Sequence, residues 1–95
     1  MDLCAAIADK HLICFTYDGQ RRIVIPAAHG TDRNTGEAVL HGYQVRGDRN
    51  SESEPPWRLF LVSKMHHVEI LGETFNGPPP DYRRDGMDID VCCQL

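Results

Sequence analysis

The sequence predicts a mainly β fold: a small, strongly bent antiparallel barrel of about five strands, SH3-like or Sm-like, behind one short N-terminal helix. Three observations predict it. Apolar and polar residues alternate with period two through several short segments. Turn formers separate those segments at short intervals. Several segments carry apolar residues on both faces, which favours closure or an oligomer over the alternative, an open α+β sheet with one face exposed. With 95 residues, 41% of them hydrophobic, the chain has material for one domain and one small core.

Residues 2–10, DLCAAIADK, set Leu3, Ala6, Ile7 and Lys10 at helical spacing, with Asp2 available as N-cap. So short a helix needs a sheet to dock against. LICFTYD then alternates, with Ile13, Phe15 and Tyr17 on one face and Leu12, Cys14 and Thr16 on the other. Asp18-Gly19 tolerates positive φ and predicts a tight hairpin turn. QRRIVIP returns as the partner strand, and Pro26, which cannot donate to a ladder, marks its end, an edge or a bulge.

HGTDRNTG, residues 29–36, is dense in turn formers and reads as a loop. EAVLHGYQVRG is a third strand, with Val39, His41, Tyr43 and Val45 on one face and Ala38, Leu40, Gly42 and Gln44 on the other. Gly42 suggests a bend or a close approach of backbone. The polar stretch 48–56 reads as a mobile loop. WRLFLV is the fourth strand and HHVEILGE the fifth, with Phe75 capping the core. The domain so predicted spans residues 1–75. Residues 76–95, with three consecutive prolines, read as an extended C-terminal tail, whose Met87, Ile89 and Val91 alternate with Asp88 and Asp90 and could add an edge strand to this chain or to a neighbour.

Charge and motifs exclude several classes. Ten Lys and Arg against 14 Asp and Glu leave a formal charge of −4, so the global field does not favour non-specific nucleic-acid binding. No apolar run reaches bilayer-spanning length and the N-terminus has no signal-peptide pattern, which reads as a cytoplasmic protein. Cys4, Cys14, Cys92 and Cys93 form no CxxC pair, so reduced thiols are expected, with Cys14 buried and the Cys92-Cys93 pair more exposed. His66 and His67, as strand neighbours, point to opposite faces and cannot share an ion, so no metal site is assigned; one is expected buried and one exposed. There is no phosphate-binding glycine loop and no nucleophile elbow, hence no enzyme and no cofactor.

In order and spacing, FTYDGQRRIVIP, VLHGYQVRG, WRLFLVSKM and VEILGETF behind a short helix resemble the WYL domain of bacterial regulatory proteins, over roughly residues 3–75. The shared elements are Phe15, Tyr17, Gly19, Arg22 to Pro26, Leu40 with Gly42-Tyr43, then Trp57, Arg58 and Phe60. The chain resembles a divergent member: Ala38-Val39-Leu40 stands where the family carries Trp-Tyr-Leu, and Leu61, Ser63 and Lys64 replace an arginine, an acid and an arginine. The resemblance implies a non-catalytic sensor, a ligand-binding domain of transcription regulation, which binds an acidic small molecule, a nucleotide or short nucleic acid and works with a separate DNA-binding partner. Carried over by position, Arg22, Tyr43, Arg58 and Lys64, with His41 as neighbour, would line the ligand groove. Arg21 and Arg22 also admit a plainer reading, a solvated pair beside Asp18. Trp57 reads as a wall residue of the core, although it or Tyr43 could stack on a base. The alternative function is a protein-interaction or homo-oligomerisation domain that has kept the barrel and lost the ligand, recruiting a second chain through a strand edge or the tail.

Overall fold

A computed structural model describes residues 3–47, 56–82 and 89–95. The Asp2 cap, the loop at 48–55, and Met87 and Asp88 of the tail lie outside the described residues. Along the chain run α1 (Leu3–Asp9), β1 (His11–Tyr17), β2 (Gln20–Asp32), β3 (Ala38–Gly47), β4 (Trp57–Leu61), a 3-10 turn (Val62–Lys64), β5 (His66–Thr74) and β6 (Ile89–Gln94). The fold is mainly β, with six antiparallel strands in the order β4-β3-β2-β1-β5 and β6 paired to β2. Among the described residues no ladder joins β4 to β5, and no helix is long and apolar enough to cross a membrane.

The Asp18-Gly19 turn forms as the sequence predicts. Both residues take positive φ, 54° and 75°, the requirement of a two-residue turn whose twist matches its flanking strands. Tyr17 then pairs with Gln20, Phe15 with Arg22 and Ile13 with Val24. Lys10, at φ 59°, ends α1; its carbonyl accepts the Phe75 N–H at 2.9 Å, so half-buried Phe75 ties the end of β5 back to the helix.

β2 is longer than predicted. It passes Pro26 with a register shift between Pro26 and Ala28, so of the readings offered for that proline the bulge is the one adopted. Residues 29–32, predicted as loop, continue the strand. The turn shrinks to the segment after Asp32, whose Oδ1 accepts the N–H of Asn34 at 2.7 Å and of Thr35 at 3.1 Å. Gly36, at φ 76°, closes it. The length has a physical basis: β2 has two successive partners on one side, β1 for its first half and β6 for its second, so its backbone groups stay satisfied throughout.

The core lies on one face of this bent sheet. Phe15, Tyr17 and Phe60 meet edge to face, with centroids 5.0 to 6.3 Å apart, and Leu3, Ala6, Ile13, Val24, Leu40 and Met65 fill around them. Gly42 pairs with Pro26, and the Cγ1 of nearby Val24 occupies the space a Cβ would need. Ala28, Val39 and Ile89 form a second, smaller cluster, backed by Leu61.

The segment beyond residue 75 packs on the rest of the chain. Pro79 is buried, and β6 runs antiparallel to β2 from Ile89↔Asp32 to Gln94↔Ala28. The tail therefore supplies an edge strand to its own chain. The expectation of reduced thiols also fails for one pair: Cys4 of α1 and Cys93 of β6 form a disulfide. Spacing in sequence could not reveal two cysteines brought together by a strand pairing. Cys14 is buried and Cys92 exposed, both free. His66 and His67 are both exposed: β5 is an end strand, and His67, at φ 53°, breaks the alternation at its start.

Candidate functional site

Arg22, expected as a solvated or ligand-facing arginine, is buried in the core. Its exposure is 0%. The hairpin register sets it opposite Phe15, on the face that carries Val24, so the side chain enters the core. There its Nη1 donates to Gln44 Oε1 at 3.0 Å, Nη2 to Gln20 Oε1 at 3.3 Å and Nε to the Tyr17 carbonyl at 3.4 Å. Its Cζ lies 5.8 Å from the Tyr17 ring centroid and 5.9 Å from that of Phe60, within cation–π range. A charge so deeply buried is tolerated only with such partners.

Arg58 reaches the same two rings from β4, at 5.1 Å over Tyr17 and 5.6 Å over Phe60. Its Nη2 pairs with Asp18 at 3.1 Å, half exposed. Lys64 stands apart on the exposed 3-10 turn. Other arginines also face acids: Arg21 with Glu69, Arg33 with Asp90, and Arg46 with Glu73. These exposed pairs add little stability, but each occupies a cation that an anionic ligand would otherwise meet.

His41 and Tyr43 lie on the opposite face of β3. Their cross-strand partners on β4 are Leu59 and Trp57. The His41 ring stacks on Trp57 at 4.4 Å and 27°, Tyr43 meets Trp57 edge-on at 5.3 Å, and Tyr82 stacks on it at 6.0 Å. Trp57 is thus an outer-face residue, not core. Its Nε1 donates to the Pro80 carbonyl at 2.7 Å, and the Tyr82 hydroxyl lies 3.3 Å from the Leu95 carbonyl. The C-terminal segment so covers part of this face. Burial lowers the His41 pKa from its ordinary value; its Nδ1 is buried with no hydrogen-bond partner among the described residues, so a proton there would sit in a dry site.

The five residues expected to form one groove are therefore divided. Arg22 and Arg58 converge on the inner rings, His41 and Tyr43 join Trp57 outside, and Lys64 belongs to neither. The cause is the pleat: Arg58 pairs with Gly42, between His41 and Tyr43, and successive residues face opposite ways.

The outer face continues into an apolar surface that sequence reasoning did not single out. Leu59 is 41% and Val45 37% exposed, beside half-buried Tyr43 and Trp57. Strand β4 ends the pairing order. The Gln44 N–H bond to the Pro56 carbonyl, 2.8 Å, sets the phase of the β3–β4 ladder, so Trp57, Leu59 and Leu61 aim their N–H and C=O away from β3. The Leu61 N–H is taken by the Tyr17 hydroxyl at 3.1 Å. The β3–β4 register has no bulge, whereas β1–β5 has two shifts and β2–β6 one, and β4 carries no acid or proline, unlike β5 with Glu69 and Glu73 or β6 with Asp90. Bulges and charges are the usual guards of an edge; β4 has the fewest. Alternation of WRLFL alone contained this signal, once the strand's place at an end was known.

Against known protein families, curated proteins and solved structures, the chain has no match. The WYL resemblance thus rests on residue order alone.

Proposed function

We propose that this chain is a non-catalytic protein-interaction module that takes an extended apolar segment of a partner protein as an added strand along β4. The observation that carries this reading is the bulge-free strand Trp57–Leu61, which ends the pairing order among the described residues, whose one charge, Arg58, is paired with Asp18, and which is flanked by exposed Leu59 and Val45. Backbone N–H and C=O of Trp57 and Leu59 would supply affinity, and the Val45, Tyr43, Trp57 and Leu59 side chains would select alternate apolar residues of the incoming strand. This is the reading in which the β-rich fold is kept and the family ligand is lost. It is supported by the arginines of the expected groove being engaged within the fold: Arg22 in the core and Arg58 with Asp18.

The test is selection of a displayed random-peptide library on the immobilised full chain. Enriched peptides should alternate apolar residues, and their affinity should fall at least tenfold for Leu59→Lys, a charge placed on the docking face, with unchanged circular dichroism. No enrichment, or equal affinity for the variant, would reject the module. Labelled nucleotides and oligonucleotides form the second arm. Binding that weakens with salt and with Arg58→Ala would return the acidic-ligand sensor in its place.

A further inference from the structure

Three metal-capable side chains from three distant parts of the sequence meet on the side of β2 away from the β4 edge. Cys4 comes from α1, His29 from the second half of β2 and Cys93 from β6, where it is the ladder partner of His29. Their ligand atoms all lie within 4.8 Å of one another, and all three residues are half-buried. We infer that, once the Cys4–Cys93 disulfide is reduced, these residues form a Cys2His site for a thiophilic divalent ion of the zinc class, with its fourth position open to solvent.

The geometry admits ligation. Cys4 Sγ stands 3.7 Å from His29 Nδ1. In a tetrahedral zinc site with Zn–S about 2.3 Å and Zn–N about 2.0 Å, the S···N edge is about 3.6 Å. The imidazole therefore already stands at ligand distance from one sulfur. The S···S edge of the same tetrahedron is about 3.8 Å, so the two sulfurs must part once their bond is broken, which side-chain rotation allows while α1 and β6 stay on β2. Two thiolates and an imidazole suit zinc or cobalt(II) and are poor ligands for magnesium or calcium. Half-burial leaves room for the fourth ligand.

The chemistry balances with a thiol reductant. Two equivalents of a low-molecular-weight thiol reduce the disulfide to two cysteine thiols and leave as their own disulfide; the metal ion then displaces both thiol protons. Disulfide and metal site are thus alternative ways of joining α1, β2 and β6, and metal binding in the reduced chain also stabilises its fold.

The experiment uses the full chain, reduced anaerobically with a phosphine, which takes up oxygen from water as the phosphine oxide, and titrated with cobalt(II). The expected result is one ion per chain, with a thiolate-to-cobalt charge-transfer band and visible absorption of tetrahedral intensity, both bleached by zinc. Cys93→Ser should lose the charge-transfer intensity. His29→Ala can be purified with its disulfide intact, so its fold is verified before reduction, and it should lose the tetrahedral spectrum. Cys92→Ser should change nothing, since Cys92 is the exposed neighbour outside the cluster. Should the reduced chain unfold without metal, cobalt should restore its circular dichroism. Absence of the charge-transfer band, a spectrum unchanged in His29→Ala, or one lost in Cys92→Ser or Cys14→Ser would overturn the site.

Discussion

The first half of β2, Gln20–Val24, is paired with the strand that precedes it across a two-residue turn, whereas the second half, Ala28–Asp32, is paired with β6 from the far end of the chain. The first is a local hairpin filled from within: Arg22 is wrapped by Gln44, Gln20 and the Tyr17 and Phe60 rings. The second is non-local and held by cross-connection: the Cys4–Cys93 bond, the close approach of Gly30 to the Asp90 backbone and the Leu95 N–H on the Ala27 carbonyl. Local pairing closes a short loop at small entropic cost, and a terminal strand must close nearly the whole chain. A covalent link is needed most where the loop is longest.

The largest expected effect tests that difference directly. The disulfide closes a sequence separation of 89 residues, for which chain-entropy arguments give about 4–5 kcal/mol. Urea unfolding of the oxidised and the reduced, metal-chelated chain should differ by most of that. A difference under about 1 kcal/mol, against that entropic estimate, would mean that β6 holds to β2 without its link.

Next comes the local half. Arg22→Ala removes a fully buried side chain and strips Gln44 and Gln20 of a donor, and should cost about 3–4 kcal/mol. Arg22→Met should recover part of this, because packing returns and the hydrogen bonds do not. The readout is the urea midpoint at unchanged slope. Full stability in Arg22→Ala would return this arginine to the surface.

Two glycines then compare the halves at equal chemistry. A Cβ on Gly30 meets the Asp90 carbonyl oxygen, backbone that can move only by lifting β6; Gly30→Ala should cost about 2–3 kcal/mol. A Cβ on Gly42 meets the Val24 Cγ1, a side chain, and Gly42→Ala should cost about 1–2 kcal/mol. Equal midpoints for the two variants would remove the contrast.

The smallest effect is a pH dependence. Burial lowers the His41 pKa below the ordinary value of about 6.5. As pH falls through that value the unfolded chain binds a proton that the folded chain declines, so His41 makes the fold less stable with acid. The effect levels off below the folded pKa. Wild type and His41→Phe should converge above that range and separate below it, with the variant losing less stability. Trp57, stacked on His41, gives a fluorescence readout of the same titration. Parallel curves would place the proton elsewhere.

How much of this was legible in the sequence differs by residue. Asp18-Gly19 with flanking alternation was enough to place the hairpin. It was also enough to place Arg22: a two-residue turn pairs Phe15 with position 22, hence with the core. The charge drew the opposite reading because arginines are mostly solvated. The residues carried over for the groove are divided for a related reason. His41, Tyr43, Arg58 and Lys64 come near one another in sequence order, but the pleat sends His41 and Tyr43 to one face and Arg58, opposite Gly42, to the other. Cys4, His29 and Cys93 had no mutual spacing to read at all.

By itself, then, the sequence determined the mainly β class of fold, the first hairpin and its turn chemistry, since each depends on residues within a few positions of one another; alternation did not carry to β5, where Val68 and Leu71 are half-buried and Glu69 and Ile70 exposed. Only the tertiary structure decided that β2 runs through Pro26, that the tail returns as β6, that Cys4 meets Cys93 beside His29, and which strands end the pairing order among the described residues. Those outcomes depend on which distant segments satisfy the backbone of β2, and hydrogen-bonding groups of the main chain carry no side-chain signature of their partner.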